Sequence, residues 1–283
     1  MNRYLELGRI NRLRITRLTD FGPVLASTEG KEVLLPKRYA DESLKIGDVL
    51  EVFVYTDSED RFVATTERPT AMLGETTHME VVDVTPYGAF VDWGLSKDLF
   101  VPKQLQKTAL KIGDRPLIFV DYDERTHRLI GTAKWDKKLS AAKKSDLKRN
   151  QAVSITLYER TPMGYKAVVQ KRFAGLIPHK ELFKEVQPGD TLTAYVKQVR
   201  SDGKIDLLSR PIGKAADTLA ADKVMAHLRS HKGMLPLNYK SDPENVKALL
   251  GLSRKNFKRA LTYLIDKGLI EVREDGTYLK GRC

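Results

Sequence analysis

One pattern occurs three times in this chain. Val33-Leu34-Leu35-Pro36, followed by Leu44-Lys45-Ile46-Gly47-Asp48, returns as Leu99-Phe100-Val101-Pro102 and Leu110-Lys111-Ile112-Gly113-Asp114. It returns more loosely as Gly175-Leu176-Ile177-Pro178 and Val186-Gln187-Pro188-Gly189-Asp190. A glycine stands 14 residues before each proline (Gly22, Gly88, Gly164), and a Gly-Asp pair begins 11 residues after it. The first and second units are offset by 66 residues at all three markers, the second and third by 76. Three markers that keep one spacing define three copies of one module.

Each copy reads as short strands between turn signals. In the second, Val81-Val82-Asp83-Val84-Thr85, Gly88-Ala89-Phe90-Val91-Asp92, Leu99-Phe100-Val101-Pro102, Leu117-Ile118-Phe119-Val120 and Arg128-Leu129-Ile130-Gly131 give five strands within 70–133. That is the size and strand count of an OB-type barrel. In the first copy Asp57-Ser58-Glu59-Asp60 reads as a turn between strands; in the third, Asp202-Gly203 is a hairpin signal.

The period changes after Pro211. Ala221, Met225 and Leu228 recur at helical spacing, so 215–230 is expected to be a helix. Ser241-Asp242-Pro243-Glu244 starts a second helix that stops at Gly251, and Ser253 caps a third that ends at Gly268. Residues 269–279 read as a hairpin. Helix, helix, turn, helix and hairpin is the plan of a winged helix-turn-helix. The expected fold is therefore multi-domain and mainly β with a C-terminal α+β domain. Three tandem five-stranded OB-fold barrels (1–68, 69–134, 150–212) precede a winged helix domain (213–283), with a basic linker at 135–149.

Charge divides the chain unevenly. Residues 1–133 carry 18 Lys+Arg against 21 Asp+Glu, so the net charge of +12 lies wholly beyond residue 133. A basic C-terminal half points to a polyanion, most often nucleic acid. The linker contributes Lys137, Lys138, Lys143 and Lys144, which read either as phosphate contacts or as a solvated, partly helical spacer. No apolar run reaches the ~20 residues of a membrane span, and no signal-peptide core opens the chain. The single cysteine is Cys283, which excludes disulfides and cysteine metal sites within one chain. A cytoplasmic location is expected.

Strand pleating assigns faces. Counting from each Gly-Asp glycine, the fifth and seventh positions (Val52 and Val54, Ile118 and Val120, Ala194 and Val196) should point into the barrel. The sixth is aromatic in every copy (Phe53, Phe119, Tyr195) and should point outward. There it would either stack bases, at roughly 1–3 kcal/mol per base, or pack on a neighbouring module.

Pro86-Tyr87-Gly88-Ala89-Phe90-Val91 and Gly175-Leu176-Ile177-Pro178-His179-Lys180-Glu181-Leu182 resemble the S-one RNA-binding domain, an OB-fold module. In that family two aromatics on this turn and strand, a histidine on the third strand and a basic residue entering the last strand line the single-strand RNA site. The resemblance assigns Tyr87 and Phe90 to the aromatics, and Arg61, Arg128 and Lys204 to the basic position. Pro36, Pro102 and Pro178 stand where the family has histidine. The first unit offers Phe21 but Val24; the third offers Met163 and Lys166. The whole arrangement resembles the conserved virulence factor B family of bacterial RNA-binding regulators, which implies three S-one-type domains, a winged helix and RNA binding.

On helix 254–267, Phe257, Leu261, Leu264 and Ile265 form an apolar stripe, and Lys255, Lys258, Arg259 and Thr262 lie opposite. A basic outer face on that helix is where a helix-turn-helix meets nucleic acid, and Arg273 on the wing could add a phosphate contact. His227 and His231 are spaced for metal binding but lack a zincin motif; His78, His127, His179, His227 and His231 are all expected to be solvent-exposed. With no phosphate-cradling loop, catalytic triad or reactive cysteine, neither enzyme activity, a metal nor a cofactor is expected. The chain reads as a single-strand RNA-binding, post-transcriptional regulator, its contacts concentrated in the basic half. Two rivals stay open: a DNA-binding transcriptional regulator, and an adaptor for ribosomal or RNA-processing proteins.

Overall fold

A computed structural model describes residues 1–57, 59, 61–182 and 185–280. Ser58 and Asp60 of the expected turn, and Cys283, lie outside the described residues. The first module comprises β1 (Ile10–Thr19), β2 (Gly22–Ala26), β3 (Glu32–Leu34), β4 (Val49–Thr56) and β5 (Phe62–Thr65), closed in the order β1-β2-β3-β5-β4. The second comprises β6 (Thr76–His78), β7 (Glu80–Thr85), β8 (Gly88–Asp92), β9 (Leu99–Pro102), β10 (Leu117–Asp123) and β11 (Arg128–Thr132). It forms two three-stranded sheets, β7-β8-β9 and β11-β10-β6. The strand matching β1 is broken at buried Met79, so β6 pairs with β10 while β7 pairs with β8. Hence six strands stand where five were expected. The third module, β12 (Ala152–Thr161), β13 (Gly164–Val169), β14 (Phe173–Pro178), β15 (Thr191–Val199) and β16 (Ile205–Leu208), closes as β12-β13-β14-β16-β15.

The repeated markers do the same structural job in each copy. A Cβ on Gly22, Gly88 or Gly164 would lie 2.1, 2.4 or 2.2 Å from the carbonyl oxygen of Leu35, Val101 or Ile177. Only glycine lets the β-turn strand approach that closely. In the Gly-Asp pairs, Gly47, Gly113 and Gly189 hold φ of 99°, 87° and 105°. Each donates its N–H to the first strand, to Ile15, Val81 or Leu157 O. The following aspartate accepts from the backbone three residues back, Lys45 N to Asp48, Lys111 N to Asp114 and Gln187 N to Asp190, at 2.8–2.9 Å. Each first strand also carries a bulge at the same register, between Ile15 and Arg17, Val81 and Asp83, and Leu157 and Glu159.

The C-terminal region has α1 (Lys214–Ser230), β17 (Met234–Leu235), α2 (Pro243–Leu250), α3 (Arg254–Asp266), β18 (Ile270–Val272) and β19 (Thr277–Leu279), with sheet order β17-β19-β18. Asp242 caps α2 with Pro243 in its first turn, Gly251 ends it at φ 62°, and Ser253 caps α3. Val224, Leu228, Val246, Phe257, Leu261 and Leu264 form the core. Ile265, expected in the apolar stripe, is exposed, and Ala260 takes its place. The β17 strand is too short for its two residues to show a period.

The chain divides into two compact units. One holds residues 1–144, 154–192 and 199–206; the other holds 145–153, 193–198 and 207–283. Among the described residues no helix is long and apolar enough to cross a membrane.

Candidate nucleic-acid interface

The inward positions point into the barrels: Val52, Val54, Ile118, Val120, Ala194 and Val196 are all buried. The aromatic position between them does leave its own barrel, but in two copies it does not reach solvent. Phe53 is 0% exposed and packs edge-on against Trp93 of the second module, ring centroids 5.7 Å apart. Phe119 is 5% exposed and shares a cluster with Trp135 and Val168. The expected stacking platforms at Phe53 and Phe119 are therefore wedges between modules, because a tandem array must cover the flank of each barrel. Tyr195 is half-buried.

The basic linker is also corrected. It contains no helix, and its lysines Lys137, Lys138, Lys143 and Lys144 are exposed, but three buried side chains anchor it. Trp135, Ala142 and Leu147 are buried; Trp135 Nε1 donates to Leu117 O and its ring meets Tyr158 at 5.0 Å. Burial, then the nearby Asp136 and Glu159 carboxylates, push the Tyr158 hydroxyl up to about 12. Ser140 bridges to Phe173, and Ala142 N donates to Gly203 O. Lys138 is paired with Asp121.

Three other sequence-assigned residues converge. The turn between β7 and β8 is fixed by Thr85, whose hydroxyl donates to Gly88 O at 3.1 Å and accepts from Tyr87 N at 3.3 Å. It holds the Tyr87 ring 80% exposed. The equivalent turns present Phe21, 77% exposed, and Met163, 74% exposed. Phe90 lies on β8 directly opposite Phe100 on β9, with ring centroids 5.1 Å apart. Arg128 enters β11. Tyr87, Phe90, Phe100 and Arg128, together with Asp98 and Asp123, line a cavity of about 420 Å³. Tyr55 and Thr56 of the first module complete its wall, and Lys97 Nζ donates to Thr56 O at 2.9 Å. Burial, then Tyr39, push the Tyr55 hydroxyl up to about 12, so it stays neutral.

Sequence reasoning missed Phe100 and Asp98. Alternation could have found Phe100: Leu99 and Val101 are buried, so the residue between them faces out. Asp98 sits in a loop whose direction no periodicity gives. Its carboxyl is raised by burial, then by Asp92 and Asp83. Asp123 is lowered, chiefly by the hydrogen bond from Thr126, then by Arg125 N.

The remaining assigned cations are scattered, and several are engaged. Arg61 is held by Asp57 at 2.7 Å and Glu59 at 2.8 Å, which, with Asp57 first, raises its own pKa further. Lys166 meets Glu159 at 2.8 Å, and Lys204 lies 3.6 Å from Asp202. Val24, in the place of Phe90, is buried. On α3, Arg259 pairs with Asp217 of α1 at 2.6 Å, while Lys255 is exposed and Lys258 half-buried. Arg273 pairs with Glu271 at 3.2 Å and covers the Tyr278 ring. The histidines divide: His127 and His231 are exposed, but His78, His179 and His227 are half-buried, His78 Nδ1 meeting Arg115 O and His179 Nε2 meeting Thr161 O. Among the described residues no three His, Cys, Asp or Glu side chains converge as a metal site.

Comparison with known proteins agrees with this domain content. Residues 7–67 match the S1 domain family, the S-one module, and residues 222–279 match the CvfB-like winged helix domain. The chain is 29% identical to the uncharacterized protein YitL of Bacillus subtilis, over 96% of this chain and 93% of that one. It is 21% identical to conserved virulence factor B of Staphylococcus saprophyticus (94% and 92% covered) and 22% identical to that of Staphylococcus aureus (94% and 91%). A crystal structure of a multidomain protein with nucleic acid binding domains from Streptococcus pneumoniae aligns at 25% identity, 97% of this chain and 98% of that chain, with a TM-score of 0.41. The chain thus carries an S1 domain and a CvfB-like winged helix domain. It is similar over nearly its whole length to the conserved virulence factor B proteins. These are nucleic-acid-binding domains, not catalytic ones.

Proposed function

We propose that this chain binds single-stranded RNA and acts on gene expression after transcription, with the second module as its base-stacking site. The observation that carries this reading is the single cavity that unites Tyr87, Phe90, Phe100 and Arg128. An exposed ring on a turn, a ring pair on the adjoining strands and a cation at the rim suit unstacked bases, whose faces stack on aromatics without regard to sequence. A duplex hides those faces. The basic residues beyond 133 supply a sequence-independent attraction for phosphates, and weak sites on one chain reinforce one another through effective concentration.

The rival reading, duplex DNA held by the winged helix, is less favoured because Arg259 and Arg273 already face carboxylates of their own domain. Competition decides between them. A labelled single-stranded RNA bound to the full chain should be displaced by unlabelled single-stranded RNA at far lower concentration than by duplex DNA. Displacement by duplex DNA at equal or lower concentration would overturn the RNA reading. If neither nucleic acid binds at low salt, the chain is an adaptor for proteins.

A further inference from the structure

Among the residues around the aromatic cavity, Asp98 stands out. It lines the cavity and is exposed, and no hydrogen bond or ion pair to its carboxylate is found among the described residues. The contrast with Asp123 on the same cavity is direct: Asp123 accepts from Thr126 Oγ1 at 2.8 Å and Arg125 N at 3.1 Å. Asp98 faces the opposite situation. It is exposed, and two further carboxylates, Asp92 and Asp83, lie near enough to oppose its ionisation. An unpartnered acceptor beside three aromatic rings is complementary to something flat that donates hydrogen bonds.

Phosphate cannot be that group, since it is an anion without donors at neutral pH. A base edge can. Cytosine, adenine and guanine each present an exocyclic amino group, whereas uracil presents carbonyl oxygens on either side of its single N–H. A carboxylate is the acceptor that reads a cytosine amino group, and it repels the O4 of uracil. Single-stranded RNA is open to such reading because its base edges are not paired.

We propose that the second-module cavity is selective as well as adhesive: Asp98 accepts a hydrogen bond from the exocyclic amino group of a base stacked on Tyr87, Phe90 and Phe100, so that amino-bearing bases are taken in preference to uracil. This rests on the reading of the cavity as a base-stacking site. The rings supply the stacking and the carboxylate supplies the discrimination. An analogue that presents an oxygen in place of the amino group meets the negative charge of the carboxylate instead of pairing with it.

The test compares two ribo-oligonucleotides of ten residues, oligo-C and oligo-U, which share ring size and backbone charge and differ at the 4-position. Both are titrated against the full chain and against Asp98→Asn and Asp98→Ala. The native chain should bind oligo-C about tenfold more tightly than oligo-U. The asparagine variant can offer its side-chain carbonyl to cytosine or its amide to uracil and should bring the ratio close to one. The alanine variant should do the same by removing the acceptor. Circular dichroism melting of each variant separates loss of selectivity from loss of fold. Equal binding of the two oligonucleotides by the native chain, or a preference that survives in both folded variants, overturns the role of Asp98 while leaving RNA binding intact. Failure to bind either oligonucleotide overturns the RNA reading itself. In that case, binding of an arginine-rich peptide that D98A abolishes would make the cavity an acceptor for a protein cation instead.

Discussion

Phe53 and Tyr87 show what exposure means for a ring in a tandem array. Both leave their own barrel, but Phe53 is 0% exposed and Tyr87 is 80% exposed. Phe53→Ala should therefore cost about 3–5 kcal/mol of stability, the range for a large core truncation, measured by denaturant unfolding. Tyr87→Ala should change stability by less than about 0.5 kcal/mol, as exposed substitutions do. Asp98 carries a prediction of the opposite sign. Its pKa is raised on folding, by burial first and then by Asp92 and Asp83, so its ionised form destabilises the fold as pH rises through that raised value. Asp98→Asn should leave the melting temperature at pH 7 unchanged or higher; a clearly lower one would mean that the carboxylate holds the loop. At this scale the sequence shows which residues leave the barrel core, because pleating is local. Where an outward side chain ends up depends on the next module, which pleating does not encode. Hence pleating alone cannot tell the wedges Phe53 and Phe119 from solvent-facing rings, whereas Tyr87, on a turn tip, is 80% exposed.

Elements are legible wherever a marker has one geometric cause. Gly22, Gly88 and Gly164 are spaced alike because each must pass within contact of a carbonyl on the third strand. Gly164→Ala should cost at least 2 kcal/mol or so, since the added Cβ would sit 2.2 Å from Ile177 O and φ is 151°. A loss below 0.5 kcal/mol or so in chemical denaturation would show that the turn gives way. The helix caps are equally plain, for Asp242, Gly251 and Ser253 act within one turn of their own position. The segment 134–149 is not, because its lysines describe only its outer side. Trp135, Ala142 and Leu147 do the anchoring, and three residues without a period leave no pattern to read. Trp135→Ala should destabilise the chain by about 3–5 kcal/mol in the same unfolding measurement, an effect no flexible spacer would show.

For the whole molecule, net positive charge and the proposed stacking site separate along the chain. The cavity lined by Tyr87, Phe90 and Phe100 lies in the half that carries 18 basic against 21 acidic residues, and the net positive charge lies in the other. Charge summed over the sequence can locate a polyanion's attraction but not the proposed stacking site, which depends on cross-strand pairing of Phe90 and Phe100. Several basic side chains that the sum counts in full, such as Lys166, Lys204 and Arg259, stand beside carboxylates. If stacking and phosphate attraction are distinct, they should respond differently to salt. The most direct measurement is a titration of labelled single-stranded RNA with the full chain and with the Tyr87→Ala/Phe90→Ala double variant, repeated across a salt series. The slope of log K against log salt reports about 0.7 per neutralised phosphate. The double variant should bind at least about tenfold more weakly at every salt concentration, with the slope unchanged, because two uncharged rings have been lost. Undiminished affinity in the double variant would contradict a base-stacking site in the second module.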